Sequence, residues 1–264
     1  MTEVNLTKEE ETAFAEFFSK IQQVGFVEKK VIRTQIMKSE LTELKNCINS
    51  ITNRNKKEIV PRLVKLIKTN KKAINNDTLV MTTIFNNFTV NSFYSNEYAD
   101  IYLTLCDYEP ELFLVLADRI KNLDEKYYNT IAIANPEDNY TVFCENNKTN
   151  DLVKSFTHFM VALYSHSNKN IKLSSVVNKE YLLDVIDSLV EKVKQTTNFM
   201  KAYEYLENIY IFIKNIAEIN SSSDERICSI VNEIRNMKEK REPYGYFKNK
   251  CVFKCMDILE IINV

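Results

Sequence analysis

Apolar residues recur at i, i+3, i+4 and i+7 along almost the whole chain, the spacing of helices that each bury one face. Thr7 ahead of Glu9, Glu10 and Glu11 reads as an N-cap followed by a first turn that complements the helix dipole. Phe14, Phe17, Phe18, Ile21 and Val24 then share a face, and Gly25 supplies a left-handed stop. The same periodicity predicts helices over Glu28–Ile48, Glu58–Lys68, Asn76–Phe88, Tyr98–Cys106, Pro110–Asn122, Asp151–Ser165, Lys179–Gln195, Phe199–Ile219, Asp224–Arg241 and Phe247–Ile262. Short polar links such as 220–224 make consecutive helices antiparallel neighbours. The expected fold is all-α: a right-handed α-solenoid of about five HEAT-like antiparallel helix pairs, spaced by roughly 40 residues. Over Asp124–Asn150 the pattern weakens, with Pro136 and many Asn, which predicts a long loop or a short irregular helix between two halves of one domain spanning 1–264.

Composition narrows the class. Only two of 264 residues are Gly and four are Pro, so sandwiches, barrels and dinucleotide-binding folds, which use Gly at hairpins and phosphate loops, are excluded. With Gly25 and Gly245 so far apart, no glycine-rich phosphate loop forms either. At 45% hydrophobic residues the chain builds a core, and a formal net charge of −1 means that any polyanion contact is local. No basic n-region opens the sequence and no segment holds about 18 uninterrupted apolar residues, so the chain reads as soluble, unexported, cytoplasmic and free of membrane partners. The scattered Cys47, Cys106, Cys144, Cys228, Cys251 and Cys255 suit reduced thiols. The thirty Asn read as the mark of an A+T-rich genome.

Catalytic raw material is thin. His158 and His166 lie eight apart, not at the four-residue spacing of a helical metal pair. Cys251 and Cys255 share a helix face but lack a second Cys/His pair, so they read as buried structural thiols. Asp184 and Asp187 are an ordinary surface pair. No enzyme activity, metal or cofactor is expected.

Three ordered blocks carry a resemblance. Cys47-Ile48-Asn49-Ser50-Ile51-Thr52 resembles the Leu-Asn-Lys-Leu-Thr signature of the middle domain of the eukaryotic initiation factor 4G family. The run from Asn91 to Cys106 is similar to the family's Phe-Ser-x-x-Tyr-Ala-x-x-Cys helix, and the run from Lys250 to Ile261 to the helix that ends the domain. Departures are Ile48 and Ile51 for Leu, Ser50 for Lys, Val252 where a basic residue is common, and Pro61, which interrupts the next helix.

The resemblance implies a translation-initiation scaffold that binds and stimulates a DEAD-box RNA helicase. Carried over residue by residue, it nominates Ile48, Asn49, Ile51 and Thr52 as helicase contacts, with Asn49 fixing the loop, and Phe253 and Asp257 as a second contact. The residues themselves leave two readings of Ile48 and Ile51 open: exposed anchors at a helix end, or staples into the core. The basic cluster Lys56, Lys57, Lys65, Lys68, Lys71 and Lys72, and a second at Lys238, Lys240, Arg241, Lys248 and Lys250, suit RNA phosphates or a plain solvated edge. A cap-binding protein would need another surface, because the nearest motif, Tyr98 to Leu103, has Thr104 where an apolar residue is required. Alternative functions are an adaptor of another RNA pathway (mRNA decay, cap-binding or translational repression) and a structural solenoid with no RNA link.

Overall fold

The computed structural model describes residues 41–52, 54–167, 170–215 and 225–262. The expected helix ending at Gly25, most of Glu28–Ile48 and the link at 220–224 lie outside them. Among the described residues every regular element is helical. They are α1 (41–49), α2 (Lys56–Ile74), α3 (Asp77–Phe88), α4 (Ser95–Tyr108), α5 (Glu111–Lys121), α6 (Leu123–Lys126), α7 (Tyr140–Ser167), α8 (Ile171–Ser174), α9 (Lys179–Gln195), α10 (Phe199–Asn215), α11 (Glu225–Lys238) and α12 (Asn249–Ile261).

With almost no glycine, asparagine shapes the ends. Asn76, Asn170 and Asn178 accept from the backbone N–H of Leu79, Leu173 and Tyr181 at 3.0, 3.0 and 2.9 Å, capping α3, α8 and α9. Asn198 accepts from Met200 at 2.9 Å ahead of α10. At the other end of α2, Asn75 takes the left-handed conformation, φ 51°, and donates its N–H to Lys71, a post usually held by Gly. An Asn excess read as genome composition thus has a conformational use.

Two contact series organise the helices. In one, α4 packs on α7, α7 on α10, and α10 on α12; in the other, α3 packs on α5 and α9 on α11. Tyr181 of α9 joins the two parts of the second series by donating to the Ile120 carbonyl of α5 at 2.9 Å. Cross-packing of α3 on α4, α9 on α10, and α11 on α12 ties the series together. The three-residue link between α9 and α10 leaves α10 only one way to cover α9, by folding back along it.

The buried residues form one cluster. Its first half is aromatic: Phe85 meets Tyr102, Phe156 and Phe159 with ring centroids 5.8, 6.0 and 6.2 Å apart, joining α3, α4 and α7. Its second half contains a buried polar chain. The Thr157 hydroxyl donates to Asn208 Oδ1 at 2.6 Å, so its oxygen receives the Tyr128 hydroxyl at 3.2 Å. All three side chains are wholly buried.

Two expectations change. The loop predicted over Asp124–Asn150 shrinks to the stretch between Thr130 and Tyr140, because α7 begins eleven residues before Asp151. Its first turns are polar because they face water, not because they are unwound: Tyr140, Thr141 and Glu145 are exposed. Buried Asn150 holds the loop against the helix, donating to the Ala132 carbonyl at 3.0 Å and accepting from its N–H at 3.3 Å. Pro61 does not interrupt its helix either. α2 runs through it, and since Pro61 and Lys57 are both exposed, the carbonyl that loses its partner faces water.

Thr157→Val keeps the shape but leaves the Tyr128 hydroxyl and Asn208 Oδ1 facing a methyl group. A loss of about 2 kcal/mol follows from orphaned buried polar groups. It reads out as a lower urea midpoint at unchanged slope; an unshifted midpoint would show that the chain contributes nothing.

Candidate functional site

The bend between α1 and α2 is built by local hydrogen bonds. Ser50 Oγ donates to the Cys47 carbonyl at 2.8 Å, and the Ile51 N–H donates to the Ile48 carbonyl at 3.1 Å. Asn55 then fastens the bend from the far side, accepting from the Thr52 N–H at 2.8 Å and donating to the Ser50 carbonyl at 2.7 Å. The asparagine that fixes this loop is therefore Asn55 rather than Asn49, which is exposed.

Ile48 and Ile51 are 0% and 2% exposed and belong to the core. Of the two readings the sequence left open, the structure has the staple: the bend turns both side chains inward, so neither is a surface anchor. Asn49 and Thr52 are exposed. At the other end of the chain Phe253 and Met256 are 61% and 49% exposed on α12, while Asp257 pairs with Lys254 at 3.3 Å.

The lysines of α2 divide. Lys57, Lys65, Lys68 and Lys72 are exposed. Lys56 pairs with Asp100 of α4. Lys71 lies among Asp77 and Glu109, each at 3.3 Å, and Glu111, which hold its ammonium charged far above the usual lysine range. With the Glu109 side chain only 9% exposed, Lys71 is a clamp between α2 and the start of α5.

A second basic surface lies on α10 and α12. The Lys248 ammonium sits 4.1 Å from the Phe199 ring centroid, Lys250 3.7 Å from Tyr203, and Lys254 4.3 Å from Tyr210. Phe199, Tyr203 and Tyr210 recur at i, i+4 and i+11 on α10. That spacing was readable in the sequence; that Lys248, Lys250 and Lys254 come to lie over the rings was not.

Two clefts flank this surface. One, of about 630 Å³, includes Pro136, Phe143, Phe199 and Lys248. The other, of about 600 Å³, opens between α7 and α10 and is lined by Ser92, Asp151, Lys154, Ser155, His158, Glu207, Tyr210 and Lys214. Burial first, and then the Lys214 charge, hold the His158 imidazole below its ordinary value of 6.5.

Arg226 bridges Asp184 and Asp187, the carboxylate pair noted in the sequence. Burial pushes the Cys251 and Cys255 thiols up to about 11 and about 12. Among the described residues no group of three His, Cys, Asp or Glu is arranged to hold a metal, and no helix is long and apolar enough to cross a membrane. No family model, curated protein or solved structure matches this chain.

Ile48→Asp buries a charge and destabilises the fold by about 3 kcal/mol or more, whereas Asn49→Ala changes stability by less than about 0.5 kcal/mol; thermal melts compare them. The His158 shift has a definite sign. Its depressed value in the folded chain means that the unfolded chain takes up the proton first, so stability is full above about 6.5 and falls as pH drops below it. His158→Gln flattens the melting temperature between about pH 5 and pH 7; an unchanged slope would show that His158 does not carry it.

Proposed function

We propose that this chain is a non-catalytic helical scaffold, a solenoid of stacked helix pairs of the initiation factor 4G middle-domain kind, that docks on a DEAD-box RNA helicase and favours its active geometry. The observation that carries this reading is the outward face of α12, where Phe253 and Met256 stand exposed on the last helix of the stack beside Asp257. Two large apolar side chains one turn apart, rimmed by charge, are the anatomy of an anchoring patch.

The succession α9 on α10 and α11 on α12, with α9 also on α11 and α10 on α12, supports the solenoid reading, since each pair covers the next. A rigid two-layer stack suits a protein that fixes the spacing of a partner's parts. At the opposite end of the chain order, the bend braced by Asn55 offers the exposed Asn49 and Thr52 as polar contacts. Docking there uses side-chain polarity and backbone shape, since the two isoleucines are committed to the core. Translation initiation is the pathway that the sequence resemblance favours, and the unwinding chemistry belongs to the partner.

Pull-down of the full chain with a purified initiation helicase, joined to an ATPase assay with RNA, tests the reading. Phe253→Asp with Met256→Asp is expected to weaken the complex by about tenfold or more and to abolish stimulation, without lowering the melting temperature. Absence of a complex, or a complex indifferent to both substitutions, overturns it and leaves the adaptor readings.

A further inference from the structure

The cleft between α7 and α10 has a charge arrangement that the scaffold reading does not use. Its carboxylates are taken. Asp151 is 3.0 Å from Lys154, and Glu207 is 3.1 Å from Lys254 and also receives the Tyr203 hydroxyl. Lys154 spans a second carboxylate, Glu204, at 3.3 Å, which fixes its ammonium at the cleft wall. Lys214 differs: it is exposed, makes no ion pair among the described residues, and rests 5.4 Å from the Tyr210 ring centroid. His158 is half-buried, lines the same cleft, and has Lys214 as the charged neighbour that acts on it. Ser92 and Ser155 place two hydroxyl-bearing residues in the same lining.

We propose that this cleft binds a small phosphate monoester, with the phosphate between Lys214, His158 and Lys154 and the organic group against Tyr210. A dianion suits the site because two ammonium groups and an imidazole that can take a proton line it, and because a phosphate's several acceptor oxygens match hydroxyl, imidazole and ammonium donors. The volume of about 600 Å³ lies within the span of small-molecule pockets and leaves room beside a phosphate for an organic group. The Tyr210 ring is a platform for a planar one, once Lys214 leaves the ring for the phosphate.

Binding is coupled to protonation of His158. The groups that line its cleft are Lys154 and Asp151 from α7, and Lys214, Glu207 and Tyr210 from α10. A bound dianion offsets Lys214 and raises the pH at which the imidazole charges.

The chain has two histidines, so proton NMR of their ring C–H signals follows the site in the intact protein, with His166 as internal reference and His158→Gln as assignment. A nucleoside monophosphate is expected to raise the His158 midpoint by about one unit and leave His166 in place. Inorganic phosphate gives the same shift at higher concentration, and the parent nucleoside gives none. Lys214→Gln, at an exposed position that leaves the fold intact, weakens monophosphate binding by about tenfold. An unmoved His158 midpoint overturns the proposal, as does an equal shift with chloride at matched ionic strength, which would be screening alone. A response to a single-stranded oligonucleotide and not to the monophosphate also overturns it, assigning the surface to a polynucleotide instead. None of these readings requires a helicase, so the scaffold function stands or falls separately.

Discussion

The rest of the fold depends on the burial of α7 on several sides at once. From Phe156 to Leu163 every residue except His158 is buried, with Thr157 and Phe159 to Leu163 facing in successive directions around the axis. A helix covered nearly all round has to have neighbours on each side, and α4 and α10 supply them, with α8 and the turns at Ser92–Tyr94 and Tyr128–Thr130 filling the margins. The Phe85, Tyr102 and Phe159 rings join α7 to α3 and α4, and α10 joins it to α9 and α12. The hydroxyl chain from Tyr128 through Thr157 to Asn208 lies at this junction. Apolar surfaces tolerate sliding; a wholly buried donor and acceptor that must meet at 2.6 Å fix one register.

The second constraint is the near absence of glycine. Helix ends need a left-handed residue or a side chain that satisfies the free N–H groups, and here asparagine does both. Asn75 ends α2, Asn76 starts α3 at the next position, and Asn170, Asn178 and Asn198 open later helices. Asn150 and Asn55 extend the same chemistry to loops, each pairing with the backbone of a segment that has no ladder of its own. In both loops side-chain bonds to the backbone take the place of a secondary-structure ladder.

Charge on this protein is allocated rather than merely balanced. Lys71 and Lys56 are spent on carboxylates of neighbouring segments, Lys154 is held at the wall of its cleft by Asp151 and Glu204, and Lys254 ties α12 to α10 through Glu207. Among the described residues, the cations without an ion pair include the exposed Lys57, Lys65, Lys68 and Lys72 of α2, and Lys214, Lys248 and Lys250, each of these three set against an aromatic ring. Such ring contacts at exposed sites are weak and exchange readily for a phosphate. A near-neutral chain can therefore present local positive potential where its carboxylates are already engaged.

What the sequence by itself determined was the helical class and most of the elements: the heptad-like recurrence of apolar residues along α3, α5, α9 and α10 is a local property that survives any packing. It also contained the spacing of Phe199, Tyr203 and Tyr210. It failed at the start of α7, where a solvent-facing helix and a polar loop have the same composition. What only the tertiary structure decided was exposure and partnership: that Ile48 and Ile51 turn inward, that Phe253 stays out, that Lys71 is clamped while Lys214 is not. Periodicity records which residues share a face within one helix. Whether that face meets water, a ring or a carboxylate depends on residues of other helices, and those distances are closed only by folding.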